Sequence, residues 1–343
     1  MVETELVRPD ARGLACTQAE LVIDPWKPGP DSTAIITHAH ADHARPGAGR
    51  YVALRDSEAL LRMRLGADIT LETLEPGEVR EFASTGGGTL RLSLHPAGHV
   101  LGSAQVRLEL PGFPVTVVTG DYKREPDPTC APFEPVPCDT LVTEATFGLP
   151  VYRWPDPRIT SDAILRWWMT SAPRPCVLFT YALGKAQRIM ATLASRPNYP
   201  ADRPVYCHGA VSAVNHAYAD ANVPLPHWED LGDRRGAALT GALVIAPPSA
   251  HRSPWMKRMK DPSTAFASGW MSVRGARRRR GYERGFVVSD HADWPGLLQT
   301  VSESGAARVL TTHGQSEALA RYLREERGLE ADTLETLFGG EPE

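Results

Sequence analysis

The sequence predicts a mixed α/β protein in which one α/β fold is interrupted by a second. Short β-type runs separated by turn residues fill positions 1–150. Helix-period apolar stripes then alternate with strand-like runs over 151–284, and the short strand-and-loop style returns over 285–343. With 343 residues, 42% hydrophobic and 23% charged, the chain is long enough for a large core or for two domains. Its 29 Gly and 30 Pro act as punctuation between many short elements.

In the first segment, the expected strands are 21–24, 34–37, 90–94, 105–110, 115–119 and 140–144. The run from Gln105 alternates polar and apolar residues, as a strand with one wet face does. A short helix is expected from Ser57 to Leu65, with Ser57 as N-cap and Gly66 just past its end. Beyond Pro150, Thr160 or Ser161 is read as the cap of a helix burying Ile164, Leu165 and Trp168. A second helix carries the stripe Ala186, Ile189, Met190, Leu193 and Ala194. Strand-like runs at 177–180, 205–207 and 242–246 alternate with these helices, which predicts a partly parallel sheet. The last elements are strands at 286–289 and 308–312, then a helix from Ser316 to Arg327 stopped by Gly328.

The chemistry is concentrated in Thr37-His38-Ala39-His40-Ala41-Asp42-His43, directly after an apolar run. Imidazole and carboxylate suit zinc or a neighbouring first-row metal. One compact loop does not easily send four such groups to one tetrahedral ion. Two ions accommodate them, His38 and His40 on one, Asp42 and His43 on the other. The arrangement of a strand followed by a metal-type residue recurs at His99, Asp121, Glu144, Asp290-His291 and His313. Residues at strand ends converge on one rim of a sheet, where loops build sites. The cysteines number five, with scattered spacing and no Cys-x-x-Cys pair, which argues against a disulfide framework or a cysteine zinc site.

The loop from His38 to His43 resembles the signature of the metallo-β-lactamase superfamily. Asp24 in Val22-Ile23-Asp24, His99 in Gly98-His99-Val100-Leu101-Gly102 and Asp121 in Gly120-Asp121-Tyr122 resemble its other motifs. Glu144, His291 and His313, each in its local motif, resemble the β-CASP branch, with similarity to bacterial ligase-associated DNA exonucleases. The resemblance implies a metallo-β-lactamase αββα sandwich, in parts 1–150 and 285–343, with a β-CASP domain inserted at 151–284. It further implies that His38, His40, His99 and Asp121 hold one divalent ion, and Asp42, His43, Asp121 and His313 the other. Zinc fits this set, with manganese as the alternative. Asp24 would orient a ligand imidazole through its other ring nitrogen. Attack by a hydroxide at the metals would be matched by His291, tuned by Glu144, protonating the leaving oxygen.

The resemblance implies a DNA exonuclease of DNA repair, working with a ligase or helicase. The alternative is a ribonuclease of the RNA 3′-end-processing type; a small-molecule metallohydrolase or a ligand-depleted scaffold fits less of the sequence. A formal charge of −4 excludes a uniformly basic nucleic-acid coat, so a polyanion needs a local patch. Arg274, Arg277, Arg278, Arg279, Arg280 and Arg284 crowd the segment before His291, with Lys185 and Arg188 as weaker candidates. Trp167, Trp168, Trp255 and Trp270 are read as core or interface, with base stacking as the alternative. Residues 1–13 are polar and charged, and no apolar run approaches the ~20 residues of a membrane span. A soluble, cytoplasmic protein is therefore expected, with no membrane partner.

Overall fold

The computed structural model describes residues 5–273 and 281–336. The chain opens with β1 (Val7–Pro9), β2 (Leu14–Cys16), β3 (Leu21–Ile23), β4 (Thr33–Ile35) and β5 (Arg50–Leu54). Helix α1 (Glu58–Leu65) leads to β6 (Leu71–Leu74), and these strands form one sheet in chain order. Next come β7 (Val79–Ala83), β8 (Thr89–Pro96), β9 (Ala104–Glu109), β10 (Thr116–Val118) and β11 (Thr140–Glu144). The middle of the chain contains α2 (Pro157–Ser171), β12 (Cys176–Phe179), α3 (Lys185–Ala194), β13 (Val205–Cys207) and α4 (Gly209–Asp220). It continues through β14 (Glu229–Asp230), β15 (Leu243–Ala246), β16 (Ser263–Ala267) and β17 (Arg284–Phe286). The last elements are α5 (Trp294–Ser304), β18 (Arg308–Thr312), α6 (Ser316–Arg327) and β19 (Glu330–Thr333).

Two compact units result, one from Met1–Tyr152 with His291–Pro342, the other from Arg153–Asp290. The first unit's second sheet runs β19-β18-β11-β10-β9-β8-β7, so the late strand β18 pairs parallel with β11. The two sheets of this unit share one core: Ile23, Ile35 and Val52 meet Leu92, Leu94, Val106 and Leu108. Strand periodicity sorts neighbours to opposite faces. Val118, Val142 and Leu310 enter that core, whereas Val117, Leu141 and Val309 pack on α5 and α6 through Leu297, Val301, Leu319 and Leu323.

The second unit is a mixed α/β body whose sheet, β14-β13-β15-β12-β16-β17, is parallel at every described pairing. Cys176 and Leu178 of β12 face the helices α2 and α3. Val177 and Phe179 face the opposite cluster, where Met256 and Trp255 pack. Trp167 and Trp168 are core residues, their indole N–H groups donating to Ser263 Oγ and the Gly241 carbonyl at 2.9 Å each. Trp255 and Trp270 are half-buried against the other face.

Two expectations are corrected. Helix α2 starts earlier than Thr160: Asp156 caps it by accepting from the Arg158 N–H, and Pro157 fills its first turn. Residues 286–289 do not form the strand expected there. The strand is Arg284–Phe286, fixed by parallel pairing with β16, so it belongs to the second unit's sheet. Ser57 stands at the N-cap of α1 and Gly66 just past its end, as expected, with the Ser57 hydroxyl donating to the Leu54 carbonyl and making no side-chain bond to the helix. Among the described residues, no helix is long and apolar enough to cross a membrane.

Candidate metal centre

The His-rich loop leaves the end of β4 and is fixed from beneath. Asp24, just past β3, has a left-handed backbone (φ 44°), a conformation few non-glycine residues adopt. Its carboxylate accepts from the Thr37 N–H at 2.8 Å and the Thr37 hydroxyl at 2.5 Å. Because that hydroxyl is already donating, its oxygen accepts from His38 Nδ1, 3.1 Å away. His38 therefore carries its proton on Nδ1 and turns an Nε2 lone pair inward. Asp24 also lies 2.7 Å from His43 Nδ1, which places a proton on that nitrogen of His43. Arg64 of α1 holds the loop from another side by donating to the Ala39 carbonyl.

His99 and Asp121 each follow a glycine that the geometry requires. Gly98 (φ 71°) and Gly120 (φ 56°) turn the chain at positive φ, and a Cβ there would come within 2.5 Å of Lys123 O and 2.7 Å of Thr37 Cβ respectively. Ser103 Oγ accepts from the N–H groups of His99 and Val100, fixing the loop that carries the imidazole. His313 sits past β18, also with positive φ, at 60°.

Donor atoms of His38, His40, His99 and Asp121 lie within 4.8 Å of one another, and so do those of His43, Asp121 and His313. All of these residues but His313 are buried. His40 Nδ1 is 3.1 Å from His38 Nε2 and 3.2 Å from His99 Nε2. Asp121 Oδ2 stands 3.6 Å from His38 Nε2, 3.5 Å from His43 Nε2 and 3.9 Å from His99 Nε2. Donors sharing one tetrahedral ion at ~2.0–2.1 Å stand about 3.4 Å apart, so this spacing fits ligands of a common ion. Asp121 Oδ1 is buried without a hydrogen bond, and Oδ2 reaches both groups. The donor set therefore fits divalent metal, and Asp121 is common to the two groups.

The electrostatics agree with that fit. Burial, then the neighbouring imidazoles, push His38 well below its ordinary pKa, and burial does the same to His313. Burial also raises Asp121 to about 7, with Glu144 adding repulsion and His43 opposing. For His43, burial is outweighed by Asp121 and Asp24, and its pKa rises to about 10. Packed lone pairs and carboxylates without counterions are costly, and a cation relieves that cost.

Next to this cluster, Glu144 at the end of β11 meets His291 Nδ1 at 2.9 and 3.1 Å. Glu144 Oε1 also accepts the Tyr122 N–H at 2.7 Å, which ties the pair to the residue after Asp121. The His291 ring lies 4.7 Å from that of His99, centroid to centroid, with Phe147 at 6.0 Å on its edge.

Asp42 is less closely gathered than the rest: its carboxylate is 3.7 Å from His43 Nε2 and 17% exposed. Lys185 corrects an expectation. Rather than an open cation for a nucleic-acid strand, it is 2% exposed, and its ammonium faces Asp290 at 3.4 Å. A buried ammonium requires a counter-charge, and Asp290 supplies it. Arg274, Arg277, Arg278, Arg279 and Arg280 lie outside the described residues. Sequence reading passed over Thr37 and Tyr122; Thr37 was legible as the hydroxyl preceding His38, whereas Tyr122 acts through its backbone and leaves no signal.

No protein-family model matches the chain. It is 32% identical over 304 residues to a probable DNA ligase of Opitutus terrae, covering 88% of this chain and 28% of that protein. It is 33% identical over 130 residues to the endoribonuclease ysh1 of Aspergillus fumigatus, covering 36% of this chain and 14% of that one. The transcription termination factor FttA of Pyrococcus abyssi is 33% identical over 159 residues, covering 43% and 24%. These similarities fit the resemblance of the chain's motifs to the metallo-β-lactamase superfamily and its β-CASP branch. The chain spans under a third of the length of each of these relatives. A solved protein of unknown function from Enterococcus faecalis V583 has a similar fold, with TM-score 0.54 at 12% identity, covering 90% of this chain and 78% of that one.

Proposed function

We propose that this protein is a two-metal phosphodiesterase of the β-CASP branch, a DNA exonuclease of DNA repair. The observation that carries the reading is that Asp121 is common to the groups His38–His40–His99 and His43–His313, with Glu144 and His291 gathered on it as a third. His38, His40, His99 and Asp121 would hold one divalent ion; His43, Asp121 and His313, with Asp42 at the rim, would hold the other. Zinc or manganese, bound there, supplies Lewis acidity: charge on the phosphate is neutralised and water becomes acidic enough to attack near neutral pH. The chain's own contributions are distinct. Asp24 and Thr37 set the tautomers of His43 and His38, and Glu144 orients His291 so that Nε2 can deliver a proton to the departing oxygen.

DNA is favoured by the relative that matches over most of this chain. The match that spans most of this chain lies within a protein named as a probable DNA ligase, of which it occupies 28%. A nuclease joined to a ligase on one polypeptide suits repair, where damaged ends are trimmed before sealing. This supports a ligase as working partner, and by extension a helicase that exposes ends, in the cytoplasm. A ribonuclease is the second reading, favoured by the relatives named as endoribonucleases.

The deciding experiment is an assay on end-labelled single-stranded DNA and RNA of matched sequence, with zinc or manganese and with Asp121→Ala as blank. Stepwise shortening of DNA that the blank lacks is the expected result. Cleavage of RNA alone would move the protein to RNA processing, and cleavage of neither would overturn the nuclease reading.

A further inference from the structure

Two buried cations on α3 neutralise the residue that precedes His291. Lys185 and Arg188 are three positions apart, so the first turn of α3 presents both on one side. Lys185 Nζ lies 3.4 Å from Asp290 Oδ2, and Arg188 Nη1 lies 3.6 Å from Asp290 Oδ1. Arg188 also donates to the Ser289 carbonyl. The side chains are 3% exposed for Lys185, 9% for Arg188 and 1% for Asp290, an enclosure that surface cations awaiting phosphate do not have.

The turn that carries the two cations is itself braced. Gly184 turns at φ 86°, its N–H donates to Gln187 Oε1 at 2.8 Å, and the Gln187 amide donates to Asn215 Oδ1 at 2.7 Å and to the Ala182 carbonyl. On the other side of His291, the Ala292 N–H donates to the Tyr122 carbonyl at 2.7 Å. The chain is thus held at the Ser289 carbonyl, the Asp290 carboxylate and the Ala292 N–H, and the side chain of His291 is held by Glu144.

We infer that Lys185 and Arg188 are positioning residues: by clamping Ser289 and Asp290 they fix the backbone from which His291 projects. This rests on the reading of His291 as the proton donor. A general acid must sit within hydrogen-bond reach of the departing oxygen, so small displacement of its backbone costs rate rather than binding.

The test compares two substrates. Single-stranded DNA has a poor leaving group that needs a proton, whereas bis(4-nitrophenyl) phosphate releases a phenolate that does not. Lys185→Met is expected to lower kcat on DNA by about ten- to hundredfold, within the range a general acid contributes. KM for DNA, its salt dependence and turnover of the nitrophenyl ester should stay near wild type. Asp290→Asn, which keeps the shape and an acceptor oxygen, should show a milder loss of the same kind and covers the case in which Lys185→Met fails to fold. Equal losses on both substrates would make the cluster merely structural and overturn the inference. A rise in KM with a flatter salt slope would also overturn it, by making Lys185 a direct phosphate contact. Failure of the wild-type protein on both substrates would instead defeat the nuclease reading itself.

Discussion

Glu144 grips His291 Nδ1 with both carboxylate oxygens, at 2.9 and 3.1 Å, while one of those oxygens also accepts the Tyr122 N–H. Nδ1 is thereby committed to the carboxylate, and only Nε2 remains to act. The proposed acid role of His291 uses this orientation, in which the carboxylate fixes the ring.

His291→Ala is therefore expected to slow DNA cleavage by about a hundredfold or more while the metals stay bound. Metal content by plasma mass spectrometry, measured alongside kcat, checks this. Loss of a metal with the ring would make His291 a ligand.

Asp121→Ala removes the carboxylate that both donor groups share. Both metal content and turnover should collapse, with the fold retained by circular dichroism. A variant that binds two metals and turns over normally would refute the bridging role.

Asp24→Ala should weaken metal binding by roughly 10- to 100-fold, because His43 and, through Thr37, His38 lose their orientation. Thr37→Val should reproduce part of that loss, since it removes only the hydroxyl that links Asp24 to His38. Chelator competition measures both, and unchanged affinity in the two variants would remove Asp24 from the site.

Metal affinity should fall as pH drops below neutrality. In the metal-free protein Asp121 is raised to about 7, so below that pH its carboxyl carries a proton that an incoming ion must displace. His43, raised to about 10, holds a proton across the neutral range and gives it up on binding. Binding therefore releases protons, and affinity rises with pH from 6 to 8. Calorimetry in buffers of different ionisation enthalpy would count them, and a flat profile would contradict the donor assignment.

Leu92→Ala removes a fully buried side chain from the core between the first unit's two sheets. A loss of about 2–5 kcal/mol in unfolding free energy is expected, with metal stoichiometry unchanged in the folded fraction. Denaturant unfolding with and without zinc distinguishes this packing effect from damage at the centre.

Residue types and strand ends made much of the site legible in advance. The run from His38 to His43 follows β4, and β11, β18 and α6 occur where their patterns placed them. Local chemistry suffices there, because β-branched runs, capping glycines and metal-type side chains leave their mark within a few residues. The short strands β1 and β2 were not read from the sequence. Nor was the edge strand β17, whose membership is set by pairing with β16.

Sequence alone determined which side chains can bind metal and that they cluster at strand ends. Tertiary structure decided which of them share a site, because donor spacing depends on how loops far apart in the chain converge. It also decided the fate of Lys185: charge suggested a surface contact, but burial beside Asp290 made it an internal counter-charge. A cation's role depends on the dielectric and the partners around it, and those exist only after the chain has folded.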